Sequence, residues 1–130
     1  LGSTGASPFL EPLIQQLHQN GDLVIAAAGN DGSPELYYPA AYPGVIAVTA
    51  AARPGQLAGY ANYGPFVDLI APGSGVVYYN NSAYLVSGTS ASAAFISGLA
   101  AGIADAKGVS VTTAGTAVHD NPAFQFHPPQ

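Results

Sequence analysis

Ser90, in the stretch SGTSAS, and Asn30, at the end of VIAAAGNDG, are the residues whose types and settings offer chemistry. A serine at a tight Gly-Thr-Ser turn that opens a helix exposes its hydroxyl beside free amides and the positive helix end, which favours a nucleophile. An asparagine at the carboxyl end of a strand can aim its side-chain amide at a developing oxyanion. Together these parts suit acyl transfer. A peptide can be held by adding as a strand beside backbone rich in glycine and small residues, and LGSTGAS and AAAGN provide such walls. Each residue also has a plainer reading: Ser90 as a cap or first-turn serine, and Asn30 as part of an Asn-Asp-Gly turn.

The elements that must position these residues are set by punctuation and hydrophobic spacing. SPFLEPLIQQLHQNGD carries Phe9, Leu10, Leu13, Ile14 and Leu17 on helical spacing, with Ser7 as N-cap, Pro8 at the first helical position and Asn20-Gly21 as the stop. Pro12 offers a later start. DLVIAAAGN and GVIAVTAA are short runs apolar on both faces, which suits central strands of a parallel sheet, and FVDLIAPG is a third strand. GVVYYNNSAYLVSG reads as a hairpin turning at Asn80-Asn81, and SASAAFISGLAAGIADAKG as the longest helix, stopped by Gly108, with Gly98 and Gly102 as places for close packing. The order is helix, strand, strand, strand, hairpin, helix. Residues 109–130 show no clear period and are expected to form a loosely packed tail.

Composition removes several function classes. Of 130 residues, 48% are hydrophobic and 7% charged, which is enough for one domain with a core of its own. Arg53 and Lys107 stand against seven acidic residues, for a net charge of −5, so nucleic acid and anionic membranes are not expected partners. Without cysteine there is neither a disulfide framework nor a thiolate metal site. No apolar run approaches membrane-spanning length, and the low charge with many small polar residues fits a secreted or cell-surface protein. The chain holds no methionine, so it is expected to be a fragment or a processed product.

Five stretches in this order resemble the carboxyl half of the subtilisin-like serine peptidases, over roughly residues 1 to 105. LGSTGAS resembles the family's substrate-binding strand and VIAAAGNDG the strand with its oxyanion asparagine. YYPAAYPGVIAVTA resembles the Tyr-Pro segment and the strand after it, YANYGPFVDLIAPG the Ser/Asn-x-x-Gly and Ala-Pro-Gly segments, and SGTSASAA the serine motif. The resemblance implies Ser90 as nucleophile and Asn30 in the oxyanion hole, with Leu1, Gly2, Ser3, Ala27, Ala28, Gly29, Tyr37 and Thr89 binding substrate. Tyr37 takes a place that is small in many members, at the base of the pocket for the residue before the scissile bond. A shallow pocket that prefers a small side chain is therefore expected.

There are departures too. Ala91 replaces a larger residue, Ser92 the usual Ala, Ala94 a Pro and Phe95 a His in the motif after Ser90. The family's catalytic Asp and His precede the serine along the chain, the His in a His-Gly-Thr sequence. His18, His119 and His127 have no such context, and Asp31 and Asp68 do not match the Asp strand. A serine without its base keeps only about a thousand- to ten-thousand-fold acceleration over water. The chain alone is expected to be nearly inactive.

The expectation is thus an α/β fold of three layers, a mostly parallel sheet flanked by helices, subtilisin-like and incomplete, its amino-terminal half absent. Residues 1–108 would be the carboxyl-terminal part of a peptidase domain. The function would be serine endopeptidase, with His and Asp supplied by the upstream half of the same protein. The alternative is a pseudoprotease or peptide-binding module on the same scaffold. No cofactor is expected in this chain. Calcium is possible in the full-length protein, and the carbonyls of Ala40, Tyr42 and Val45 offer at most a weak cation site, far from the carboxylate density of a calcium loop.

Overall fold

The computed structural model describes residues 2–128. In chain order its elements are α1 (Leu10–Gln19), β1 (Val24–Ala27), β2 (Val45–Arg53), β3 (Gln56–Leu57), β4 (Leu69–Pro72), β5 (Ser74–Tyr79), β6 (Ser82–Ser87), α2 (Thr89–Lys107) and α3 (Val111–His119). β2 is central. β1 and β4 flank it, both parallel to it, with Val24 opposite Val45 and Val48 opposite Leu69. The short β3 folds back antiparallel onto the end of β2, which makes the sheet mixed.

Alternation along the strands divides the core between two faces, as period-two side-chain direction requires. Ala26, Val45 and Ala47 point to the face covered by Ile14 of α1 and by Ala40 and Tyr42. Val48, Leu69 and Ala71 point to the other, where Ile96 and Ala100 of α2 and Val118 of α3 close over them. Both faces are covered, so runs such as VIAV carry almost no polar residue. The three-layer α/β expectation holds.

α1 starts later than Ser7 and Pro8 suggest. Phe9 is its N-cap, without a side-chain cap bond, and Pro12 lies in the first turn, where its missing N–H costs nothing. Asn80 and Asn81 both take positive φ, 50° and 61°, the geometry of a two-residue hairpin turn matched to strand twist. Gly88 (φ 135°) is the N-cap of α2 and Gly108 (φ 62°) its left-handed C-cap, so Ser90 is a residue of the helix and not its cap.

Two expectations are corrected. A Cβ added at Gly98 or Gly102 would meet nothing within 4 Å, so neither glycine serves close packing among the described residues. Residues 109–128 are not a loose tail. α3 is capped by Ser110, whose hydroxyl accepts from the Thr113 amide at 3.1 Å, and it buries Ala114 and Val118. Beyond it the chain runs antiparallel to β4, where the Ile70 amide donates to Phe124 and the Phe126 amide to Asp68. The segment is held by contacts distant in sequence, which periodicity does not report.

Candidate functional site

The first turn of α2 is clamped between the carboxyl ends of two strands. On one side, Ser92 is fully buried and its hydroxyl lies 3.1 Å from the carbonyl of Ala71 and 3.0 Å from that of Pro72, at the end of β4. On the other, Asn30 follows β1, and its Oδ1 accepts from both the amide and the hydroxyl of Thr89, each at 2.9 Å. The Thr89 hydroxyl in turn accepts from the Gly29 amide at 3.2 Å. A backbone amide only donates, so the oxygen of the Asn30 side chain must face Thr89, which turns Nδ2 away from Thr89. The Nδ2 side lies toward Gly88: a Cβ there would stand 3.3 Å from it, so glycine leaves that approach open.

Ser90 is exposed, one residue beyond Thr89. Its own amide is among the first four of the helix, which have no carbonyl partner within it. The nucleophile candidate thus lies in the first turn of a 19-residue helix, at its positive end, and the exposed Asn30 is tied to the residue before it.

The loop that carries Asn30 is built around Asn62. This side chain is 1% exposed. Its Oδ1 accepts from the amides of Asp31 (2.8 Å) and Ser33 (3.2 Å), and its Nδ2 donates to the Ala28 carbonyl (3.0 Å). Its backbone amide donates to the Gly29 carbonyl at 2.9 Å. Gly29 has φ 107°, and a Cβ on it would come within 2.2 Å of Asn62 Nδ2, so only glycine fits. In the sequence Asn62 falls within YANYGP, a stretch that carries the family resemblance, but nothing there gives this residue a role of its own.

Of the segments expected to bind substrate, Leu1 lies outside the described residues. Ser3 exchanges both backbone hydrogen bonds with Tyr38, at 3.0 and 2.8 Å. Gly2, beside this bridge, is exposed. The Tyr37 ring lies between the two walls: a Cβ on Gly2 would stand 2.2 Å from its Cε1, and one on Gly29 3.1 Å from its Cδ1. Ala27 is half-buried, whereas Ala28 and Thr89 are fully buried. The amide of Ala28 is bonded to Val48 and its carbonyl to Asn62, so Ala28 and Thr89 shape the site from behind and offer no free group to a bound chain.

The histidines are elsewhere. His18 and His119 line a groove with Val45 and Asp68 at the amino ends of the strands, opposite Ser90. His119 Nδ1 is 3.0 Å from Asp120, and Asp68 accepts from the Ala47 amide at 2.8 Å. His127 lies beside Ile70 and Leu57. Asp31 is exposed in its turn. Phe95, in place of the family's His, packs its ring 6.0 Å from that of Phe124. Among the described residues no group of three or more His, Asp or Glu is arranged to hold a metal ion, and no helix is long and apolar enough to cross a membrane.

Ser90 and Asn30 stand at the carboxyl ends of the parallel strands of a mixed sheet flanked by helices, and comparison with known proteins gives the class to which this fold belongs. The model of the subtilase family matches residues 1–117; the chain belongs to this family. It is 41% identical over 103 residues to the thermostable alkaline protease of Halalkalibacterium halodurans, covering 78% of this chain and 28% of that protein. It is 39% identical over 93 residues to the minor extracellular protease Epr of Bacillus subtilis, covering 69% and 14%. Among solved structures, the prenylagaramide maturation protease PagA superposes with a TM-score of 0.73 at 33% identity, over 83% of this chain and 42% of that one. The chain thus spans less than a third of either of these two relatives.

Proposed function

We propose that this chain is the nucleophile-bearing part of a secreted serine endopeptidase. The observation that carries this reading is the double hydrogen bond from Thr89 to Asn30 Oδ1, which leaves Asn30 Nδ2 and the Ser90 amide as two donors beside the Ser90 hydroxyl. In the reaction, Ser90 Oγ attacks the scissile carbonyl while a histidine takes its proton. The developing oxyanion is stabilised by the two donors, and the amine leaves with that proton. Water then attacks the acyl-serine, yielding the acid and regenerating Ser90. The histidine and its orienting aspartate come from an upstream segment of the same protein.

The substrate is a peptide or protein chain that lies along the exposed Gly2. Its residue before the scissile bond is small, because the Tyr37 ring fills the space between Gly2 and Gly29. An extracellular location is supported by the low charge of the chain and by the likeness to an extracellular protease. The carbonyls of Ala40, Tyr42 and Val45 bring no charge to a cation, and the Tyr42 carbonyl already accepts from the Val45 amide. No step uses a metal.

The test is peptide hydrolysis by three samples: the full-length protein, its Ser90→Ala variant, and the 130-residue chain alone. Turnover by the first, with the other two near background, supports the reading. A folded full-length protein that binds peptides without cleaving them would favour the pseudoprotease.

A further inference from the structure

We infer that Asn62 is a positioning residue for the oxyanion site, setting Asn30 through the loop of residues 28–33; this rests on the reading of Asn30 as an oxyanion donor. Thr89 orients the Asn30 side chain, but nothing in that contact fixes where the Asn30 backbone sits. Asn62 does. The carbonyls of Ala28 and Gly29 before Asn30, and the amides of Asp31 and Ser33 after it, all bond to this one residue. Asn62 is anchored in turn by the fully buried Thr49 of β2, whose hydroxyl donates to the Asn62 carbonyl. Central strand, Asn62 and Asn30 thus form one chain of contacts, with no exposed side chain before Asn30 itself.

The geometry demands an asparagine. An aspartate loses the donor to Ala28, and a glutamine is one methylene too long for a site where the amide already bars a Cβ on Gly29. A misplacement of about 1 Å costs on the order of a hundredfold in rate, similar to losing an oxyanion donor outright.

The experiment is a double-mutant cycle on the full-length protein, with Asn62→Ala, Asn30→Ala and the pair. Each single change is expected to lower kcat about a hundredfold, with KM within about twofold. The pair should fall no more than about threefold below either. Effects that multiply, or a loss confined to KM, overturn the proposal. Asn62→Ser keeps a polar group in the pocket but cannot span the loop, and replaces Asn62→Ala if the latter fails to fold.

Hydrogen exchange reads the loop without turnover. The amides of Asp31 and Ser33 should exchange at least about tenfold faster in whichever variant folds, while those of β2 keep their protection. Unchanged exchange overturns the proposal even in an active enzyme. Absence of turnover in the wild type overturns instead the reading on which it rests.

Discussion

Asn30 Oδ1 accepts two hydrogen bonds from Thr89, one from its amide and one from its hydroxyl, both 2.9 Å long. The first residue of a helix thereby fixes a side chain 59 residues away in sequence. The strand end and the helix start, separate elements in the sequence, become one rim. The orientation of the asparagine is set by the protein's own contacts, which is the preorganisation that the proposed oxyanion role requires.

Thr89→Val removes the hydroxyl donor and leaves the Gly29 amide buried without its acceptor. Stability is expected to fall by about 1–3 kcal/mol in denaturant titration, the usual penalty for a stranded buried group. In the full-length enzyme kcat should drop about tenfold, the equivalent of roughly 1.4 kcal/mol. Thr89→Ser, which keeps both bonds, should stay within about threefold of wild type. Equal losses in the two variants would contradict this role for the hydroxyl.

Tyr37→Gly should open the space between Gly2 and Gly29. Burying an aromatic ring gains about 1.5–3 kcal/mol, so kcat/KM for peptides with Phe before the scissile bond should rise about tenfold or more relative to those with Ala. An unchanged ratio would place the specificity pocket elsewhere.

Gly98 and Gly102 sit within α2 with open space where a methyl group would go. Replacing either by alanine should stabilise the chain by about 0.5–1 kcal/mol, because glycine loses more backbone freedom than alanine in a helix. A denaturant midpoint that falls would show that another surface packs against this face.

Much of this fold is legible in the sequence because its signals are local. VIAV in the central strand, apolar on both faces, announces a covered parallel sheet, and Asn80-Asn81 announces a hairpin with positive φ at both positions. α3 is not legible: VTTAGTAVH is poor in strong helix formers and becomes a helix because Ala114 and Val118 are buried and Ser110 caps it. Ser90 and Asn30 stand out by residue type and punctuation. Asn62 does not, since an asparagine in YANYGP reads as turn chemistry until tertiary structure shows it buried among four backbone groups of another loop. Among the described residues nothing packs closely on Gly98 or Gly102, for the converse reason: small residues permit close approach without requiring it.

The most direct measurement is labelling of the full-length protein with a fluorophosphonate probe, beside its Ser90→Ala variant. Such probes react with an activated serine and spare ordinary helix-start serines. Labelling of the wild type that disappears in Ser90→Ala is the predicted result and establishes Ser90 as a nucleophile with its base in place. A folded full-length protein that takes no label would contradict the peptidase reading and leave Ser90 as an exposed serine at the mouth of a helix.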